Sequence, residues 1–306
     1  MATRLFSLQD LSLYDFNYVL DLAEDIKIKP RDYRDNLKHH QFAYMFKDGS
    51  LPERLLLETA VAQLGGTLIH LPRSPSPDEG LSGHYAWNGS LGQWVSGWIF
   101  SGFSIARMTE MMKDMTIPAL CASSEHHHPC RVLSDFYTIR RARGNVSGLR
   151  IGYIGGWTNI CTDLIQAALY TNSRLTFALP DLEERKSANE LDDTFPDWRS
   201  SIEWSNDPTA AAYAADVVYI SSEKGTAKED DKTISNPATQ KTSSGEAWFP
   251  ETGSNALRIY VDPFRDPDVF ERGIKHHSAS LADEQIKNQL HVQKAIMLLL
   301  TDKKRR

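Results

Sequence analysis

The chain has 306 residues, of which 41% are hydrophobic and 24% charged, enough apolar content for two α/β domains that need no disulfide staples. With a net charge of −6 and only short basic clusters, no nucleic-acid footprint is expected, and a small-molecule substrate is the expected partner. No stretch approaches the length of a membrane span and the first residues carry no apolar signal core, which points to a cytoplasmic protein with no membrane partner.

Asp10 is placed to cap a first helix whose apolar residues Phe16, Val19, Leu20, Ala23 and Ile26 recur at helical spacing. Residues 41–46 read as a short buried strand. A helix follows over 52–64 with Pro52 in its first turn, and Gly65 and Gly66 end it before a strand at 67–71. Residues 72–92 are rich in Pro, Ser, Gly and Asp and read as a loop. Mixed strand-like and helical runs cover 94–112. A strand at 117–121 then delivers residues 123–131 to its C-terminal end, ahead of a helix over 132–141, and such strand ends are where open α/β sheets bind ligands.

Residues 145–148 read as a linker, and 149–154 as a buried strand that runs into Gly155-Gly156-Trp157-Thr158-Asn159 before a helix over 160–170. Short apolar strands at 175–179, 217–221 and 257–261 continue a mostly parallel sheet. Between the last two, residues 222–245 are polar and charged and read as a lid or disordered loop. A long helix over 284–300 closes the sequence, and the basic run at 303–306 reads as its solvated end. Cys121, Cys130 and Cys161 are odd in number and unpatterned in spacing, which fits reduced structural thiols.

Several short motifs fall in one order along nearly the whole chain. Ser50-Leu51-Pro52-Glu53-Arg54 lies between a strand and a helix, followed by Glu58-Thr59-Ala60 and Leu64-Gly65-Gly66. His126-His127-His128-Pro129-Cys130-Arg131, the Gly155–Asn159 turn and Leu290-His291-Val292-Gln293-Lys294-Ala295 come after them. Together they resemble the aspartate and ornithine transcarbamylases. The resemblance implies a carbamoyl-phosphate-type domain at 1–142 plus 286–306, to which the last helix returns, and an amino-acid-binding-type domain at 143–285. Both would carry doubly wound parallel sheets, with a cleft between the domains. It also implies a homotrimer with active sites shared between subunits, and no cofactor.

The departures from the family pattern are systematic. The phosphate loop of the family reads Ser-Thr-Arg-Thr-Arg. Here Pro52 supplies neither an N–H nor a charge, and Glu53 brings a negative charge to a pocket built for an anion. The family's further phosphate arginine falls near Ser101, the glutamine of His-Pro-x-Gln is replaced by Arg131, and Trp87-Asn88-Gly89-Ser90 keeps a loose echo of the loop lent by a neighbouring subunit. Ser221-Ser222-Glu223-Lys224-Gly225 stands at the Ser-Met-Gly signature, Tyr260-Val261-Asp262-Pro263 at His-Cys-Leu-Pro, and Gln289 follows the final asparagine, Asn288.

Carbamoyl transfer needs a dianionic phosphate held, a carbonyl polarised and a neutral amine aimed at it. Each lost charge-assisted contact costs on the order of 2 kcal/mol, so the missing arginines and the added Glu53 weaken phosphate binding by orders of magnitude. The sequence therefore points to a transcarbamylase-fold enzyme acting on an amino-acid-like or other nitrogen-bearing molecule without carbamoyl phosphate, in a specialised biosynthetic pathway. In that reading His128 serves as acid, base or carbonyl polariser, Arg131 holds an anionic group or pairs with Asp135, and Glu53 meets a cationic group or pairs with Arg54 or Lys47. Asn159 and Thr158 orient the amino-acid backbone, and Ser50, Arg54, Lys47, Tyr260, Asp262 and Gln289 complete the candidate binding residues. Two alternatives stand beside it: a non-catalytic protein that binds a metabolite or stabilises a partner, and an atypical carbamoyltransferase in which Arg131 and Lys47 hold the phosphate. The adjacent histidines at 126–128 point in different directions and have no acidic or Cys partner at ligand spacing, and the pair His276-His277 reads as a solvated surface feature, so no metal is expected.

Overall fold

A computed structural model describes residues 4–47, 51–71, 92–113, 115–179, 195, 198–221, 256–261 and 280–302. The backbone packs as two compact units, Met1–Tyr137 with Lys287–Arg306, and Thr138–Ile286.

The first unit is built on a five-stranded, all-parallel sheet. Its strands are β1 (Arg4–Leu5), β2 (Gln41–Phe46), β3 (Thr67–Leu71), β4 (Gly97–Ser101) and β5 (Ala119–Ser123), in the order β1-β5-β4-β2-β3. Helices α1 (Leu13–Ile28), α2 (Leu51–Gln63) and α3 (Ile105–Met111) lie between successive strands, and α4 (Pro129–Arg143) follows β5. Parallel neighbours require such crossovers, and the helices bury the sheet, which is why β2 and β4 read as continuous apolar runs. The α1 stripe of Phe16, Val19, Leu20, Ala23 and Ile26 is buried as its spacing predicts. Its cap differs from expectation. Ser12 closes the helix with a capping box to Asp15, whereas the Asp10 carboxylate accepts from the backbone of Phe6 and Ser7 at 2.6 and 3.0 Å, closing a separate 3-10 turn. The strand expected at 117–121 begins two residues later, just after Pro118, whose ring leaves no N–H for the ladder.

The second unit repeats the architecture. Strands β6 (Arg150–Ile154), β7 (Arg174–Ala178), β8 (Ile202–Ser205), β9 (Val217–Ile220) and β10 (Leu257–Tyr260) form a parallel sheet in the order β10-β9-β6-β7-β8. Helices α5 (Cys161–Tyr170) and α6 (Pro208–Ala212) accompany it. Gly152 in β6 faces α6 so closely that an added Cβ would lie 2.1 Å from the Ala211 carbonyl oxygen, so only glycine permits this approach.

The last helix, α7 (Ala282–Thr301), runs out of the second unit into the first. There Asn288 accepts from Lys27 Nζ at 2.9 Å, and Lys294 donates to Gln63 on α2. No described helix is long and apolar enough to cross a membrane.

Candidate functional site

In the first unit, chemistry-bearing groups gather at the C-terminal ends of β2, β4 and β5, the edge where open α/β sheets hold their ligands. Backbone bonds fix this edge: Lys47 N–H donates to the Ser101 carbonyl at 2.9 Å and Gly102 N–H to that of Ser123 at 2.8 Å. The register between β4 and β5 shifts after Phe100, so Ser101 comes to face Ser123. Such an irregularity re-aims the side chain at the end of a strand.

Glu53 sits in the first turn of α2 with its carboxyl turned onto this edge. The Tyr44 hydroxyl donates to its Oε1 at 3.3 Å, and the buried Ser101 hydroxyl is hydrogen-bonded to both the tyrosine and the carboxylate. Burial raises the Glu53 pKa above the ordinary carboxylate value, against the smaller opposing effect of the donors from Ser101 and Tyr44. The Tyr44 hydroxyl is raised as well, first by burial and then by the neighbouring Glu53 charge. Arg54, the nearest arginine in sequence, is turned to Glu58 at 3.0 Å, and Glu58 also meets His70 at 2.5 Å. The alternative of a Glu53–Arg54 pair is therefore corrected: the α2 arginine takes the carboxylate one turn further on. Lys47 is exposed, and Ser50 lies outside the described residues.

After β5 the chain makes a tight turn in which the Ser124 and His127 backbones exchange contacts. Ser124 N–H donates to the His127 carbonyl at 2.8 Å, and His127 N–H donates to Ser124 Oγ at 3.0 Å. This places His128 directly before Pro129 at the start of α4, where its carbonyl accepts from the Arg131 and Val132 amides. The His128 residue is partly exposed, but its Nδ1 is sealed from solvent. Burial, and then the Arg131 guanidinium, push its pKa down to about 3, so the imidazole is neutral at physiological pH and able to act as a hydrogen-bonding partner to a carbonyl. Arg131 itself is buried with its Nε 3.3 Å from Oδ1 of the fully buried Asp135 one turn along α4. Among the described residues no cluster of three or more His, Cys, Asp or Glu is arranged to hold a metal ion.

The second unit presents its own strand ends. Gly155 takes φ +127° directly after β6, and an added Cβ would meet the Ser221 carbonyl oxygen at 2.6 Å, so the turn leaving β6 is pressed against the end of β9. The Tyr153 hydroxyl donates to the Gly156 carbonyl at 2.7 Å and lies 3.1 Å from Thr158 Oγ1, while Thr158 N–H donates to Cys161 Sγ at 3.3 Å. Thr158 is thus buried in the turn's own bonding, whereas Asn159 stays partly exposed at the head of α5. Tyr260 ends β10. The Gln285 side chain clamps its backbone, accepting from its N–H at 3.0 Å and donating to its carbonyl at 3.1 Å, and its buried hydroxyl is raised in pKa by that burial. Gln289 is partly buried on α7.

Asp262, the 222–245 lid, the 87–90 loop, His276-His277 and the 303–306 run lie outside the described residues. Sequence reasoning missed Tyr44, Tyr153, Cys161 and Gln285. Tyr44 alone carried a visible signal, since Phe42, Tyr44 and Phe46 alternate along β2 and share a face.

Two family models match the chain in succession. Residues 4–141 match the aspartate/ornithine carbamoyltransferase, carbamoyl-P binding domain, and residues 147–300 match the Asp/Orn binding domain of the same family. Similar proteins include the ornithine carbamoyltransferase of Oceanobacillus iheyensis, 25% identical over 96% of this chain and 92% of that protein. That of Parafrankia sp. is 28% identical, over 99% of this chain and 97% of its own length. Among solved structures, ornithine carbamoyltransferase from Burkholderia thailandensis superimposes with a TM-score of 0.80 at 22% identity, over 98% of this chain and 99% of that one. The enzyme from Thermus thermophilus gives 0.77 at 21%, over 99% and 100%.

Proposed function

The chain belongs to the aspartate/ornithine carbamoyltransferase family over both of its domains, and on that premise we propose that it is an enzyme whose chemistry has diverged from carbamoyl transfer. It acts on an amino-acid-like or other nitrogen-bearing small molecule without carbamoyl phosphate, as a cytoplasmic homotrimer in a specialised biosynthetic pathway. The observation that carries this reading is Glu53. Its carboxyl, bonded by Tyr44 and Ser101, stands at the strand ends where a phosphate would need positive partners. A carboxylate there repels a dianion and attracts an ammonium or guanidinium group. The lowered pKa of His128 supports a role as a neutral imidazole that polarises a carbonyl by hydrogen bonding. Asn159, partly exposed where α5 begins, and the match to an amino-acid-binding domain model support an amino-acid-like ligand in the second unit.

The atypical carbamoyltransferase requires Arg131 to face a phosphate, and the Arg131–Asp135 pair weighs against it. One further reading, a non-catalytic metabolite-binding or partner-stabilising protein, is favoured by the engagement of both Arg54 and Arg131 with carboxylates of the fold. Calorimetric titration of the purified chain with carbamoyl phosphate, with inorganic phosphate as control, tests the proposal. No heat of binding is expected at millimolar ligand. Binding in the micromolar range would overturn it and restore carbamoyl transfer.

A further inference from the structure

The second unit carries an aromatic row that the family reading does not use. The register pairs Tyr219 with Tyr153, Tyr153 with Phe177, and Phe177 with Trp204 across four adjacent strands. Register partners share a face, so the four rings line one side of the sheet, each one residue before the end of its strand. The other side at this level belongs to α6, whose Ala211 carbonyl crowds Gly152.

Over this row lies Trp157, contributed by the turn after β6. Its ring centroid is 5.5 Å from that of Phe177, and 6.0 Å from that of Trp204 with the planes 26° apart. Phe177 and Trp204 stack at 4.9 Å and 14°, and Trp198 meets Trp204 edge-on at 5.8 Å. The turn that presents Trp157 is pinned by the Tyr153 hydroxyl, which donates to the Gly156 carbonyl. Phe177, Tyr153 and Tyr219 are buried, but Trp157 and Trp204 keep part of their surface exposed at the ligand end of the sheet. The ring faces of this group already take a cation, since the Arg199 guanidinium carbon lies 4.9 Å from the Trp198 ring centroid.

We propose that Trp157, supported by Phe177 and Trp204, is the specificity-determining surface for a flat, π-bearing end group on the substrate, a guanidinium or an aromatic ring. The proposal deepens the reading of an amino-acid-like ligand and rests on it. A rigid indole next to Thr158 and Asn159 gives such a group a stacking face at little cost in side-chain entropy. A straight ammonium side chain gains only the weaker contact of a solvated cation over the ring.

The test is calorimetry on the full chain with four probes, L-arginine and L-phenylalanine against L-ornithine and L-leucine, beside the carbamoyl phosphate titration. At least one flat-ended amino acid is expected to bind about tenfold more tightly than its non-planar counterpart, a gap of about 1.4 kcal/mol. Trp157→Ala is expected to erase that gap and Trp157→Phe to keep most of it. Equal affinities within each wild-type pair, or a preference that survives in Trp157→Ala, would overturn the inference while leaving amino-acid binding intact. Absence of binding by all four probes at 10 mM, taken as about the weakest affinity the assay resolves, overturns the inference too. Binding of carbamoyl phosphate instead overturns the functional reading beneath it. The wild-type comparison stands even where a variant fails to fold.

Discussion

The buried pair on α4 gives the sharpest test of what Arg131 does. Its Nε lies 3.3 Å from Asp135 Oδ1, with the arginine side chain 6% exposed and the aspartate fully enclosed. A guanidinium does not lose its proton at any working pH, so taking away the carboxylate removes an opposite charge that faces it inside the fold. Asp135→Asn keeps the shape and removes the charge. Breaking a buried pair from one side costs about 3 to 5 kcal/mol, and for a unit of this size each kcal/mol lowers Tm by about 2 to 4 °C. The expected fall in a thermal scan is therefore about 6 to 20 °C. Replacing both partners with apolar residues, Arg131→Met with Asp135→Leu, is expected to recover most of it, because the buried guanidinium is then removed together with its carboxylate. A fall of less than about 2 °C in Asp135→Asn, or a double variant no better than the single, would refute the pairing and free Arg131 for an anionic ligand.

Two further outcomes follow from the geometry. Glu53 has its folded pKa raised by burial, so the fold favours its protonated form, and the stability it contributes is full below the ordinary value of 4.5 and is lost as pH rises through the folded pKa. Glu53→Gln, which cannot ionise, is expected to be more stable than the wild type at pH 8 but not at pH 4, each unit of raised pKa being worth about 1.4 kcal/mol; a Tm difference that stays flat with pH refutes the assignment. Gly152→Ala drives a Cβ to 2.1 Å from the Ala211 carbonyl oxygen, a backbone atom that moves only with α6. A loss of about 3 kcal/mol is expected, read as Tm and soluble yield, and a Tm within about 2 °C of the wild type would show that the strand and helix are not in contact there.

What the sequence made legible was whatever a short window encodes. β2 and β3 fall at the residues their apolar runs predict, and α1 buries the five residues its period selects, because a helix stripe or a buried strand is a local pattern. β1 escaped notice since two residues, Arg4 and Leu5, carry no period, and only pairing with Ala119 and Leu120 makes them a strand. The α1 cap was readable and misplaced: Ser12 with Asp15 three residues later is a capping-box spacing, and so is Ser7 with Asp10. In the site, the motif order marked His128, Arg131 and Glu53. The partners of Glu53 were out of reach, because Tyr44 meets it only through the face it takes in β2, and Ser101 only through the register shift at the end of β4.

Those two partners make the departures from the family pattern mutually dependent. By the resemblance, Ser101 stands where the family keeps an arginine and Glu53 where it keeps a threonine, and taken singly each change damages an anion site. Together they are chemically consistent, since the Ser101 hydroxyl and the Tyr44 phenol supply the donors that a half-buried carboxyl needs. An arginine at Ser101 beside Glu53 would be drawn into an internal ion pair, and a serine beside a threonine would leave a phosphate without its counter-charge. On the proposed reading the first unit exchanged a cation-lined edge for a carboxyl-lined one in a linked pair of substitutions. The charge of the ligand it selects is then the property that changed, while the parallel sheet that carries Tyr44 and Ser101 did not.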